Sequence, residues 1–372
     1  EYFDAVDLNI PESDNDIPDI LDEIRWNLDW MMDMQDPNDG GVYHKLTTKD
    51  FAGMVMPHEA TANRFVVMKS TSATLNFAAA MATAARVYKE IDPDFATMVL
   101  KAAREAWNWA DENPGLVYNQ PDDIGTGAYG DNNLNDEFDW AAAELYITTG
   151  EDSFWEVFNQ DEQNVGIPGW QSVRPLAWVS LAHHIENLTD AADHATIKNR
   201  IIQQADQLMN EVHNSAYGVS MGQDPGDFVW GSNSTALNQS VLLIQGYKLT
   251  KDESYLDAAQ SNLDYVLGRN ATGYSFVTGF GERSPMDPHH RQSAADDVPD
   301  PVPGMLVGGP HDGQQDGCSY PSDLPARSYV DDWCSYSTNE VTINWNAPLV
   351  YVAAGLDHFR SGRVKSSRNI DK

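Results

Sequence analysis

Long apolar runs are missing from this sequence. No stretch of eighteen or more apolar residues occurs in its 372 positions, which excludes an ordinary membrane-spanning helix. Basic residues are scarce. Lys and Arg number 23 against 57 Asp and Glu, a formal charge of −34. Such a chain cannot neutralise many phosphates, so neither nucleic acid nor an anionic membrane suits it as a partner. A neutral polysaccharide is indifferent to that charge, whose plainest reading is a well-solvated acidic surface. The opening residues, Glu1 to Asp7, have neither the basic nor the apolar region of a signal peptide, and no initiator Met. A mature or cut chain is therefore expected. Cysteine is nearly absent. Cys318 and Cys334 lie sixteen positions apart in a Gly/Pro/Asp-rich stretch, with no CxxC and no zinc spacing. They read as a disulfide in an oxidising compartment, with two free thiols as the alternative.

What the sequence does have is helical periodicity. Ile17, Ile20, Leu21, Ile24, Leu28, Met31 and Met32 recur at three- and four-residue spacing. Asp16 is placed to cap that helix, with Pro18 near its first turn. Similar stretches cover about 70–90, 94–112, 135–150, 170–188, 193–212, 232–249, 252–267 and 340–360, roughly nine or ten helices with no alternating strand series. The small-residue stretch Ala78 to Ala85 predicts a helix buried among other helices. Long loops at 40–69, 113–134, 213–231 and 268–339 alternate with these helices, and loops of that length tend to carry function. The pattern predicts a ring of helical hairpins with one face made of loops. No composition break divides it, so residues 1–372 read as one domain.

Three loop segments carry candidate chemistry. In Ser284-Pro285-Met286-Asp287-Pro288-His289-His290-Arg291, prolines restrict the backbone and pre-aim two histidines and an arginine. That cluster suits a carboxylate or sugar hydroxyls; a surface basic spot is the plainer alternative. The second segment runs from Ser328 through Asp331, Trp333 and Tyr336 to Glu340. It sets two carboxylates among aromatics. Glycoside hydrolysis needs one carboxyl protonated and one ionised, and burial raises a Glu toward the first role. A helix start at Glu340 would oppose that, and a plain acidic helix start is the alternative. The third segment, Asn132-Asn133-Leu134-Asn135-Asp136-Glu137, clusters oxygen ligands suited to calcium, though not at EF-hand spacing; a helix cap is the alternative. Among the loop aromatics, Trp230, Trp333, Tyr336 and Tyr129 are candidates for stacking on sugar faces.

Together these motifs resemble the family-nine glycoside hydrolases, mostly endoglucanases, over essentially the whole chain. The likeness is to the bacterial subgroup that often carries an immunoglobulin-like domain ahead of the catalytic one. It rests on Asn9-Ile10-Pro11-Glu12-Ser13 with the helix that follows, on Pro285 to Arg291, and on Asn339-Glu340-Val341-Thr342-Ile343-Asn344-Trp345-Asn346-Ala347. The resemblance implies an all-α (α/α)6 barrel with an open substrate cleft. It implies Glu340 as proton donor to the leaving oxygen, with His289 and Arg291 near the cleavage point and Asp331 an acidic position beside that arginine. His290, Trp230, Tyr336 and Trp333 are expected to contact substrate. No cofactor is needed for the chemistry. A structural calcium is implied at Asp136 and Glu137, with Asn132 on the same loop. The relatives' acidic ligand after a Trp is not evident around Trp170-Gln171-Ser172-Val173.

Inverting hydrolysis also needs a carboxylate to activate water, roughly 6.5–9.5 Å from the acid. Asp4-Ala5-Val6-Asp7 lacks the glycine and tyrosine of the family's motif for it. On family lengths the chain is expected to begin about one hundred residues into the domain, as its C-terminal three quarters. The expected activity is inverting hydrolysis of β-1,4-glucan by a secreted monomer. Two alternatives stay open: a relative acting on xyloglucan or chitosan oligosaccharides, and a non-catalytic carbohydrate-binding protein. A terpene-type toroid is set aside, since no DDxxD cluster follows Asp331-Asp332.

Overall fold

Pro18, rather than Asp16, sets the first helix. It occupies the N-cap position ahead of α1 (Asp19–Asp33), and no side chain caps that end. The Asp19 carboxylate instead turns back to accept from the Leu8 N–H and the Ser13 hydroxyl, at 2.6 and 2.7 Å. The computed structural model describes residues 8–13, 15–158, 164–222 and 225–367; the Asp4–Asp7 stretch lies outside them.

The chain forms two compact units. One comprises Glu1–Phe51, Ala62–Gly166 and Gln171–Ile197; the other comprises Ala52–Thr61, Ile167–Trp170 and Lys198–Lys372. In the first unit, α2 (Thr71–Tyr88) packs against α3 (Pro93–Glu112) and α4 (Asn135–Thr149). That last helix packs in turn on α5 (Asp152–Val157) and α6 (Arg174–His183). The small-residue stretch behaves as its composition predicts: Leu75, Ala78, Ala79, Met81 and Ala82 are wholly buried, as are Ala141 to Ala143 of α4. Small side chains let two helix backbones approach closely, and each fully buried Leu such as Leu75 contributes roughly 1.5–3 kcal/mol. The helix starts are built locally. Ser70 and Asp92 accept from the Ala73 and Phe95 N–H groups, and Pro93 fills the first turn of α3. Two buried ion pairs cross this core, Arg86–Glu144 at 2.7 Å and Arg174–Asp139 at 2.5 Å. Two-residue strands β1 (Leu46–Thr47) and β2 (Phe65–Val66) pair antiparallel, too short to leave a sequence period. The stripe of α1 is less buried than its spacing suggests, since Ile24 is exposed and, of the stripe, only Leu28 is fully buried.

The second unit is built on α8 (Ser232–Thr250), which packs against α9 (Glu253–Val266) and α12 (Ile343–Ser367). Helix α7 (His194–Asn214) begins in the first unit and continues into the second. Gly246 of α8 has no room for a side chain, because a Cβ there would lie 2.8 Å from that of Ala205. Between α9 and α12 runs the long loop region. It contains two short helices absent from the periodicity, α10 (Arg291–Ala295) and α11 (Tyr336–Asn339). Three isolated bridges tie it together: Val277 with Leu306, His289 with Glu340, and Val307 with Val341.

Candidate active site

Glu340 does not begin the last helix. It follows α11 in extended conformation (φ −72°, ψ 151°), and α12 starts three residues later. The helix N-terminus that would have favoured its ionised form is therefore not at this residue. Its main chain is instead clamped on both sides. The His289 N–H donates to the Asn339 carbonyl at 2.8 Å, and the Gly308 N–H donates to the Glu340 carbonyl at 3.0 Å. The Gly309 N–H adds a bond to the Thr338 carbonyl at 2.8 Å.

The same ladder brings in Trp230. The Asn233 N–H and side-chain amide donate to the Gly308 and Val307 carbonyls, at 3.0 and 2.8 Å, so the start of α8 hangs on the 307–309 segment. Gly231 makes the turn into α8 with φ +85°, and a Cβ there would meet the Trp345 indole at 2.5 Å. Only glycine gives both the left-handed backbone and that close approach. Trp230 ends up stacked on Tyr336, with ring centroids 5.6 Å apart and planes 28° from parallel. His289 meets the same Tyr336 edge-on at 5.9 Å. Both Trp230 and Tyr336 stay partly open to solvent, as a stacking surface must.

The Glu340 carboxyl is held above the ordinary glutamic-acid range. Burial drives it up, while the Trp230 side chain and the Arg291 charge work the other way without reversing it. His289 Nδ1 lies 2.6 Å from the Trp333 carbonyl. A carbonyl only accepts, so Nδ1 carries the hydrogen of this bond. Arg291 opens α10, and its Nε donates to the Ala52 carbonyl at 3.0 Å.

Other candidates have different occupations. Asp331 accepts from the Met286 and Asp287 N–H groups at 2.8 and 3.0 Å and from Asn339 Nδ2 at 3.1 Å. It anchors the histidine loop. His290 caps α10 through Ser293, and burial lowers its basicity. Trp333 lends its carbonyl to His289 and leaves its ring exposed. Asn339, Tyr329 and His311 carry no distinguishing signal of their own in the sequence, yet each ties segments of this region together. His311 reaches the Phe228 carbonyl at 3.0 Å through Nδ1.

Cys318 and Cys334 form a disulfide with a Cα–Cα distance of 6.2 Å. Beside it, Asp316 binds the Cys318 N–H, the Tyr320 hydroxyl and the Ser337 N–H. The crosslink thus braces the segment that carries Tyr336. Loop closure of this length is worth about 3 kcal/mol. A reducing agent is expected to lower the calorimetric melting temperature by a few degrees. An unchanged transition, with both thiols confirmed free by titration, would remove the crosslink from the stability account.

In the first unit, Asp136 and Glu137 sit buried in the first turn of α4. Asp136 Oδ2 accepts from the Val173 N–H at 2.9 Å. Among the described residues, Asp136 Oδ1 and Glu137 Oε2 are buried without a hydrogen-bond partner. Burial and the adjacent Asp136 push the Glu137 carboxyl up to about 8. Asn132 lies exposed on the preceding loop. No group of three or more His, Cys, Asp or Glu among the described residues is arranged to hold a metal.

The chain that carries this clamped glutamate is similar to known proteins. The model of glycosyl hydrolase family 9 matches residues 2–353. The chain belongs to glycosyl hydrolase family 9. A family-9 relative, the xyloglucan-specific endo-beta-1,4-glucanase of Bacteroides ovatus, is 45% identical over 380 residues, covering 98% of this chain and 65% of that protein. The cellulose 1,4-beta-cellobiosidase of Acetivibrio thermocellus is 35% identical, over 94% of this chain and 44% of its own length. Among solved structures, the Bacteroides ovatus family-9 protein superposes with a TM-score of 0.89 at 43% identity, over 96% of this chain and 66% of that one. A thermostable endoglucanase of Alicyclobacillus acidocaldarius gives 0.87 at 34% identity, over 95% and 69%. The chain therefore spans less than two thirds of the length of these curated relatives. Its mainly helical fold is that of the family, the (α/α)6 class.

Proposed function

We propose that this chain belongs to an inverting β-1,4-glucan hydrolase in which Glu340 protonates the leaving glycosidic oxygen. The observation that carries the reading is the Glu340 carboxyl itself. Burial raises its pKa beside a half-open Trp230–Tyr336 stack, with Arg291 and His289 in the same cluster. A sugar ring stacked on that aromatic surface would present its hydroxyl edge to the imidazole and guanidinium and its acetal oxygen to the acid. Asp331 serves by holding the histidine loop. Trp333, with its ring exposed, is a further stacking surface, and His290 acts through its cap on α10.

For the substrate we carry cellulose-like and xyloglucan chains together. The 45% identical relative is named for xyloglucan, which makes that polymer the first to try. The Cys318–Cys334 disulfide favours an extracellular setting. We carry the protein as a secreted monomer. The test is the stereochemistry of the first product, read by proton NMR during hydrolysis of cello- or xyloglucan oligosaccharides. Inversion gives the α-anomer first. A β-anomer would rule out the inverting mechanism, and binding without cleavage by the intact enzyme would favour a carbohydrate-binding role.

A structural calcium fits the α4 site in its donor chemistry. Asp136 and Glu137 would hold it through their orphaned oxygens, with Asn132 and loop carbonyls as candidates to complete the shell. The ion would supply positive charge to two buried carboxylates and hold the 131–137 loop. The sign of the pH effect follows from Glu137. Its folded pKa of about 8 exceeds the ordinary 4.5, so without a cation the folded state binds the extra proton and loses stability as pH rises between those values. Chelator-treated protein should therefore melt lower as pH rises from about 5 to about 8. Added calcium should flatten that slope. Identical melting curves with chelator and with calcium at about pH 8 would exclude the ion.

A further inference from the structure

Asn339, one residue before the proposed acid, is completely buried and uses every polar atom it has. Its side-chain Oδ1 accepts the Tyr329 hydroxyl at 2.7 Å. Its Nδ2 donates to the Asp287 carbonyl at 2.8 Å and to Asp331 Oδ1 at 3.1 Å. Its main-chain carbonyl takes the His289 N–H, and its own N–H donates to the Ser335 carbonyl at 3.0 Å. One side chain therefore touches both the histidine loop and the carboxylate that anchors it.

Chemistry decides which way this amide faces. A phenol whose pKa is raised by burial stays protonated and donates, so the atom facing Tyr329 is the oxygen. The amide nitrogen must then face Asp287 and Asp331, both of which offer acceptors. Tyr329 is itself fixed by edge-on packing against Tyr274 and Phe276, with centroids 5.1 and 5.0 Å away.

We propose that Asn339 is a positioning residue, oriented by the Tyr329 hydroxyl, that holds the 286–291 segment so that His289 and Arg291 stand against Glu340. The inference rests on the hydrolase reading above and adds a role for two residues that never meet substrate. With aspartate at 339, the donor to Asp287 and Asp331 is gone and two carboxylates confront each other. Asp287 and Asp332 add to the negative charge on that side. The loop is then pushed away from the bridged residues Glu340 and Val341, and Arg291 moves off with it.

Two substitutions in the intact enzyme test this. Asn339→Asp should lower kcat about a hundredfold with KM changed less than about threefold, because misplacement near the reacting centre affects the transition state most. Tyr329→Phe keeps the ring packing and removes one hydroxyl, and should cost about tenfold in kcat. Both should move the alkaline limb of the rate profile to higher pH. Arg291 from α10 is the charge that acts on Glu340; His289 pairs with Glu340 through the backbone bridge, and Tyr336 from α11 meets the His289 ring. Withdrawal of the arginine raises the acid's pKa. Nitrogen-15 NMR of the His289 imidazole gives a readout without turnover: the Nδ1-protonated form should give way to the usual mixture. Normal kcat, an unmoved pH limb and an unchanged imidazole in Tyr329→Phe would overturn the proposal even if Asn339→Asp fails to fold. A wild-type enzyme inactive on every β-glucan would sink the hydrolase reading, while the imidazole signal would still decide the positioning role.

Discussion

Glu340→Gln is expected to cut β-glucan hydrolysis by about 10²–10⁴-fold, the usual worth of a positioned general acid. The amide has the shape of the acid and keeps an oxygen for Trp230, and the backbone bonds that clamp residue 340 are untouched. Folding should therefore survive, checked by an unaltered melting temperature. The variant should also lose the alkaline limb of its pH profile. In the wild type, the rate falls as pH rises through the raised pKa of Glu340, because the proton to be donated is gone. With glutamine there is no such proton at any pH. Glycosides with an activated leaving group need little acid assistance, so an aryl glycoside of a strongly acidic phenol should be hydrolysed by both proteins at similar rates. Near-normal turnover on unactivated glucan would refute the assignment of the acid.

Arg86→Ala should destabilise the protein by about 3–5 kcal/mol, the cost of leaving a buried charge without its partner. Arg86 bonds Glu144 and the Thr148 hydroxyl, and Glu144 is only 2% exposed. Glu144 also accepts from Trp140 and Ser180, so its carboxylate is built into the interface of α4 with α6 and cannot retreat to water. Arg104→Ala is the matched control. Its partner Glu151 and Arg104 itself are 47% and 37% exposed. That pair should be worth no more than about 1 kcal/mol. Urea denaturation followed by circular dichroism compares the two. Equal shifts in midpoint would show that the Arg86–Glu144 pair has no special weight in the core.

Much of this protein is legible in its sequence because helices write their period into the chain. The stretches at 70–90, 94–112 and 252–267 correspond to α2, α3 and α9 within two residues at each end. Short elements leave no such trace. Helices α10 and α11, of five and four residues, cannot complete enough turns to show a stripe. Asp16 suggests a cap by its residue type, but Pro18 holds the capping position and the backbone there turns otherwise. The end of the 268–339 loop misleads in the same way. The apolar pattern continues through 340, yet two bridges hold Glu340 and Val341 extended before the helix starts at Ile343.

The candidate site divides along the same line. Residue types and their local spacing mark Glu340, His289, Arg291, Trp230 and Tyr336, since acids among aromatics and histidines directly after prolines are readable within a few positions. The sequence by itself determined the helical class, the acidic surface, the two cysteines and the chemistry on offer. Only the tertiary structure decided that Asp331 anchors backbone, that His290 caps a helix and that Asn339 joins three segments. Those roles depend on hydrogen bonds between residues up to 52 positions apart. Side-chain type limits which bonds can form, but folding alone selects which partners come within about 3 Å of one another.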